Sequence, residues 1–194
     1  MGGVDKGLQL FHGQTLAAIA LERLCQQVGG APGLIAINAN RNQAHYAALG
    51  VPVWQDCVPD YAGPLAGFLT TMRQCEGHYD YVLSVPCDSP LFPLDLLSRL
   101  GAAMLAGSSE IAMAMAPEVQ DDGSILLRPQ PVFCLMRTRL ADSLRTFIDG
   151  GGRKIGAWTA SHQQTKLGFN AAGDDARAFA NANTLDELHA LENK

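Results

Sequence analysis

The sequence predicts an α/β domain with a mostly parallel sheet covered by helices on both faces. Three observations carry this. Short apolar runs alternate with segments of helical periodicity along all 194 residues. The connections between them are short. Three of the runs end at or just before a polar residue, Asn38, Asp56 and Asp88. In open α/β sheets ligands gather outside the carboxyl ends of the strands, so this convergence is the main functional signal in the patterning.

The elements follow in order. Leu16, Ile19, Ala20 and Leu24 recur at three- and four-residue spacing, which predicts a helix from about Thr15 to Val28, stopped by Gly29-Gly30. Leu34–Asn38 reads as a buried strand, Gln43–Leu49 as a short helix closed by Gly50, and Val51–Gln55 as a second strand. Gly63-Pro64 opens a helix to about Gln74, since proline suits the first turn. Tyr79–Val85 is a β-rich run that stops at Pro86-Cys87-Asp88, and Pro93 starts a helix to about Ala106. Ile111–Met115 and Val132–Met136 read as strands, Arg139–Asp149 as a helix and Gln164–Phe169 as a weaker strand. Thr184 with Glu187 forms a capping box before a last helix.

Composition narrows the functional classes. Hydrophobic residues make up 47% and charged residues 17%, which excludes a disordered chain and fits a buried sheet. The net charge of −5 argues against a nucleic-acid coat and leaves room for a local phosphate pocket. The five cysteines contain no CxxC pair and read as reduced thiols, and the five histidines lack metal-ligand spacing. No apolar leader or membrane-length run is present, so a soluble cytoplasmic protein is expected. One domain over 1–194 accommodates the chain.

Each candidate residue carries a functional and a plain structural reading. Asp88, between Pro86 and Pro90, suits Mg²⁺, a hard cation that takes a carboxylate and completes its shell with water and phosphates; it equally suits a turn. Asp56 can accept hydrogen bonds from a base or ribose, with Gly63 and Gly67 allowing close backbone approach, or can serve as a turn residue. Lys6 lies among glycines able to cradle phosphate, although no P-loop pattern is present. Asn38, Asn40 and Arg41 offer base or ribose contacts, or ordinary loop chemistry. Arg153-Lys154 could meet a phosphate or sit as solvated charge at a helix end, and Asn181 and Asn183 could bind substrate beside the Thr184 cap.

In this order the motifs resemble one family. MGGVDKG at 1–7, INANR at 37–41, Asp56 followed by YAGPLAG to 67, VPCDSP at 85–90 and NANTLDEL at 181–188 are similar to segments of the molybdenum cofactor guanylyltransferases. The resemblance implies a single Rossmann-like nucleotidyltransferase domain, with a nucleotide-binding part at about 1–92 and an acceptor-binding part at about 93–194. It implies transfer of GMP from GTP to molybdopterin, with Mg²⁺ as cofactor. Lys6 would hold the GTP phosphates, Asn38 and Asp56 the guanosine, Gly63 and Gly67 would approach base and ribose, Asp88 would bind Mg²⁺, and Asn181 and Asn183 would face molybdopterin. The partners implied are GTP, molybdopterin or Mo-molybdopterin, and molybdoenzymes or their chaperones, with no nucleic acid or membrane. The alternatives are a related enzyme using CTP or a sugar phosphate, and a non-catalytic nucleotide-binding protein; GPLAG favours the guanylyl branch.

Two departures stand out. Family members open with an apolar strand and a glycine-rich loop, LAGG, then basic residues and RMGG, whereas this chain opens at the methionine of the final MGG. The expectation is therefore that the first strand and most of the phosphate loop are missing, and that the chain alone binds GTP poorly. The second is Gln130 before Pro131, where the family often carries histidine.

Overall fold

The computed structural model describes residues 5–58, 63–120, 122–182 and 184–192. A small hairpin comes first, β1 (Leu10–Phe11) with β2 (Gln14–Thr15). It leads directly into α1 (Leu16–Cys25), where Thr15 Oγ1 accepts from the Ala18 N–H at 3.3 Å. Then follow β3 (Ile37–Asn38), α2 (Gln43–Ala47), β4 (Val53–Trp54) and α3 (Pro64–Cys75), with proline at the first helical position as expected. Next come β5 (Tyr81–Ser84), α4 (Leu96–Ala106), β6 (Ile111–Val119) and β7 (Ile125–Arg137). The chain continues with α5 (Ala141–Asp149), α6 (Ile155–Thr159), β8 (Gln164–Gly168) and α7 (Leu185–Glu192). Thr184 Oγ1 accepts from the Glu187 N–H at 3.1 Å, so the predicted cap forms at α7.

The main sheet has the order β5-β7-β6-β8, and β3 pairs with β4 in a separate parallel ribbon. Three of the four main strands point the same way, and β7 runs against them. Because β7 lies between β5 and β6, two of the three ladders are antiparallel, which refines the expectation of a mostly parallel sheet. The fold is a mixed α/β fold with an open sheet.

Alternation along the strands builds the two layers. In β6, Ile111 and Met113 face one core while Ala112, Ala114 and Ala116 face the other; in β7, Cys134 and Met136 oppose Phe133 and Leu135. The first core takes α3, α5 and α6, centred on Leu69, Met72, Leu144 and the fully buried Trp158. The second takes α4 and part of α1, with Leu96, Leu100, Met104 and Phe92. Both faces of the sheet are thus dry around Ile111–Ala114 and Phe133–Met136, which is why those stretches read as unbroken apolar runs. Each such large side chain contributes about 1.5–3 kcal/mol of burial. No helix among the described residues is long and apolar enough to cross a membrane.

The central ladder carries one irregularity. The β6–β7 register passes from Met113↔Cys134 to Met115↔Pro129, leaving residues 130–133 opposite Ala114 alone. Such a bulge bends a strand and re-aims its side chains.

A polar clamp joins α4 to the segment after β8. Arg99 Nη1 donates to Asp174 Oδ1 at 2.7 Å and Nη2 to Asp174 Oδ2 at 3.2 Å and to the Gly168 carbonyl at 3.2 Å. The guanidinium lies 3.9 Å from the centroid of the Phe169 ring. The hydrogen bonds from Arg99 hold the Asp174 carboxyl below its ordinary value of 3.8.

Two outcomes are expected. Leu100→Ala, at a fully buried position, lowers unfolding free energy by about 2–5 kcal/mol in urea melts. The lowered pKa of Asp174 stabilises the fold fully above pH 3.8 and less as pH falls through the lower folded-state value. Asp174→Asn should therefore cost stability at pH 7 and make thermal midpoints fall less steeply below pH 4 than in the parent; parallel acid profiles would show that the clamp does not contribute.

Candidate functional site

The carboxyl ends of β3 and β5 open onto a common cleft of about 570 Å³. Asn38 at the end of β3, Gly67 in α3, Asp88 beyond β5 and Asn181 all line it. The β7 bulge adds Gln130, the position that departs from the family pattern.

At the mouth, Lys6 Nζ lies 2.9 Å from Asp88 Oδ2. Asp88 is four residues past the end of β5, so burial of that strand fixes where its carboxylate emerges. A second strap secures the turn: the Ala182 N–H donates to the Asp88 carbonyl at 2.9 Å, and Ser89 Oγ donates to Asn181 Oδ1. Asn181 is thereby brought beside Asp88 although 93 positions separate them in the sequence. The neighbouring Cys87 thiol is pushed up to about 11, first by burial and then by the Asp88 charge, so it stays protonated at neutral pH.

Lys6 itself is placed by a network centred on Asp5. Asp5 Oδ1 accepts from the Tyr46 hydroxyl at 2.5 Å and the Gly7 N–H at 3.2 Å, and Oδ2 accepts from Asn42 Nδ2 at 2.9 Å. Burial opposes ionisation of Asp5, but the donors from Tyr46, Asn42 and Gly7 outweigh it and the carboxyl titrates below its ordinary value. Burial, reinforced by the Asp5 bond, raises the Tyr46 phenol, which remains a donor. Gly7 fits only because it lacks a side chain: a Cβ there would stand 2.5 Å from the Tyr46 oxygen. Sequence reasoning singled out Lys6 and passed over Asp5 and Tyr46; Asn42 and Tyr46, four apart around a short helix, were the available signal.

Asp56 sits at the end of β4 rather than on the cleft wall. It exchanges two bonds with Asn40, whose Nδ2 donates to Asp56 Oδ2 at 2.7 Å and whose Oδ1 accepts from the Asp56 N–H at 2.8 Å. The other carboxylate oxygen, Oδ1, is buried without a hydrogen-bond partner among the described residues. A buried anionic acceptor of this kind calls for a donor. Asn38 Nδ2 donates to the Trp54 carbonyl at 3.2 Å, and its Oδ1 occupies the space a Cβ at Gly67 would take, 2.6 Å away. Gly67 therefore seats Asn38 as well as lining the cleft. Gly63 caps α3 at a φ of 129°, a conformation that favours glycine.

The remaining candidates lie elsewhere. Arg153 donates to the Ile148 and Gly152 carbonyls at the end of α5, and Lys154 precedes α6; neither lines the cleft. Asn183 falls outside the described residues, as do 1–4 of the MGGVDKG segment and 59–62 of the segment before GPLAG. Among the described residues no three His, Cys, Asp or Glu side chains are grouped to hold a metal. Asp88 alone suits a cation that binds through one carboxylate and completes its shell with water and substrate phosphates.

Known proteins are similar to this chain in sequence and in fold. Residues 1–165 match the MobA-like NTP transferase domain. The chain is 56% identical over 193 residues to the molybdenum cofactor guanylyltransferase of Albidiferax ferrireducens, covering 100% of this chain and 90% of that protein. It is 55% identical over 193 residues to that of Acidovorax sp., covering 99% and 89%, and 50% identical over 192 residues to that of Bordetella pertussis, covering 99% and 90%. Among solved structures it resembles molybdopterin-guanine dinucleotide biosynthesis protein A from Archaeoglobus fulgidus, with a TM-score of 0.75 at 18% identity over 98% of this chain and 90% of that one. It also resembles the 4-diphosphocytidyl-2C-methyl-D-erythritol synthase of Anaerococcus prevotii, with a TM-score of 0.73 at 8% identity over 98% and 91%. The two structural likenesses show a common fold, and the sequence matches go further: this chain belongs to the MobA-like NTP transferases, in the group of molybdenum cofactor guanylyltransferases.

Proposed function

We propose that the chain transfers GMP from GTP to molybdopterin at the mouth of the cleft between β3 and β5. The observation that carries this reading is the meeting of Lys6, Asp88 and Asn181 where two buried strands end. In the reaction, an oxygen of the molybdopterin terminal phosphate attacks the α-phosphorus of GTP. The new P–O bond forms as the bond from the α-phosphorus to the bridging oxygen breaks, and pyrophosphate leaves. No nucleophilic side chain is required, so positioning and charge neutralisation supply the catalysis.

Lys6 holds the triphosphate. Its ion pair with Asp88 keeps the ammonium at the mouth until phosphate oxygens replace the carboxylate as its partner. Asp88 holds Mg²⁺, which supplies further neutralisation of phosphate charge when bound. Asn38 lines the guanosine side of the cleft, and Asp56, off the cleft wall with Oδ1 buried and without a partner among the described residues, accepts from the guanine only if the base extends past Asn38 toward the end of β4. Gly63 and Gly67 leave space for base and ribose, and Asn181 with Asn183 meets molybdopterin. Arg153 and Lys154 serve the acceptor only if molybdopterin extends well beyond the cleft. The nucleotide half is about 1–92 and the acceptor half about 93–194. The enzyme acts in the cytoplasm, consistent with its free cysteines, and passes its product to molybdoenzymes or their chaperones.

Two experiments test the reading. In a full-length form, Asp88→Ala should lower Mg²⁺-dependent release of pyrophosphate from GTP by about 10²-fold or more while leaving the thermal midpoint near that of the parent. Turnover close to the parent's at saturating Mg²⁺ would free Asp88 of this role. By calorimetry GTP should bind at least about tenfold more tightly than CTP, because cytosine leaves a buried acceptor unpaired. Equal affinity would instead favour the cytidylyl alternative.

A further inference from the structure

The backbone at Asn181 is pinned on both sides. Phe179 is buried in the second core against Phe133 and Phe169, and Ala182 is buried with Phe11, Leu16 and Leu188. The Ala182 N–H is tied to the Asp88 carbonyl at 2.9 Å. What remains free is rotation of the Asn181 carboxamide. Its two ends are unlike, since the oxygen accepts and the NH2 donates twice. Turned one way it meets an anion, and turned the other way it meets a donor.

Ser89 fixes the direction. It is fully buried, and Pro90 after it restricts its backbone to the extended region. Its hydroxyl donates to Asn181 Oδ1 and has no other hydrogen bond among the described residues. Turning the amide over would set Nδ2 against Ser89 Oγ and leave a buried O–H without an acceptor, an arrangement folded proteins avoid. Oδ1 is therefore committed to Ser89. Nδ2 is left with no acceptor among the described residues, on an exposed side chain that lines the cleft with Asp88.

We propose that Ser89 is a positioning residue that holds Asn181 as a donor, and that the group Asn181 meets is an anionic phosphate oxygen of the acceptor rather than an N–H edge of its ring system. The identity of the acceptor rests on the guanylyl reading. Lys6 reaches the same turn through its ion pair with Asp88, so a phosphate there meets an ammonium and a carboxamide NH2 together. The two donors differ in kind. An ammonium attracts as a compact point charge, whereas an amide N–H···O bond weakens steeply when misaligned. Lys6 thus draws the phosphate in, and Asn181 selects one orientation of it for attack. Ser89 touches no substrate and acts only through the side chain at 181.

The test uses a full-length form with inorganic phosphate as the probe, followed by the side-chain NH2 resonances of Asn181. Phosphate should shift these resonances saturably, and Ser89→Ala should weaken the binding about tenfold. Ser89→Thr, which keeps the hydroxyl, should bind within about threefold of the parent. In the Asn181→Ala background Ser89→Ala should have no further effect, because the two residues act as one unit. Asn181→Asp keeps an acceptor for Ser89 and sets a carboxylate where the donor stood, so it should bind phosphate more weakly than Asn181→Ala. Asn181 is exposed, so this comparison stands even where alanine at 89 disturbs the turn. Resonances indifferent to phosphate would overturn the proposal. So would an undiminished effect of Ser89→Ala in the Asn181→Ala background, or binding by Asn181→Asp as tight as the parent's. None of these measurements involves GTP or molybdopterin, so failure of GMP transfer in the parent would count against the guanylyl reading alone.

Discussion

Two-sided burial of β5, β6 and β7 governs this molecule. Alternate residues of each strand feed different cores, so neither face can tilt or slide without exposing the other. That rigidity is what turns the ends of the strands into fixed points. Asp88 needs no strong local structure of its own, because it lies in the turn beyond β5, whose position is already settled, whereas Asn38 ends β3 in the separate ribbon and is seated against Gly67. The β7 bulge exploits the same frame: four residues are pushed out of the ladder where β6 is held by β8, and they become cleft wall.

Charge at the mouth is organised in two tiers. Asp5, Tyr46 and Asn42 form an inner network that fixes the backbone carrying Lys6. The Lys6–Asp88 pair is the outer tier, half open to solvent on the lysine side at 36% exposure. An exposed pair contributes little to stability. Its effect is instead to hold opposite charges together at the mouth of the cleft.

Much of the fold was legible in the sequence because burial leaves a periodic record. The runs at 34–38, 79–85 and 111–115 all became strands or strand approaches, and Pro64, Thr15 and Thr184 marked helix starts correctly. Three features were not legible. The β1–β2 hairpin turns on His12 and Gly13 at φ values of 48° and 80°, a tight turn more often signalled by Asn-Gly. Strand β7 reaches back to Ile125 through Pro129 and Pro131, which read as breakers; beyond the Ser84↔Cys134 pair no β5 ladder needs their missing donors. Helix α6, only Ile155–Thr159, is held by the burial of Trp158 rather than by any periodicity. Of the site, the strand-end residues were visible, while the Asp5 network and the link from Ser89 to Asn181 depend on tertiary contact and leave no local pattern.

The packing of Asn38 into the space above Gly67 has a bearing on how this site can change. The two residues are a single fitted unit, one supplying an amide and the other a vacancy for it. A methyl group at 67 is disruptive while the amide is present and innocuous once 38 is small, so the fitness effect of either change depends on which arrives first. Drift through this pair is therefore path-dependent: it passes through shrinkage at 38 before growth at 67, and reversal requires the opposite order.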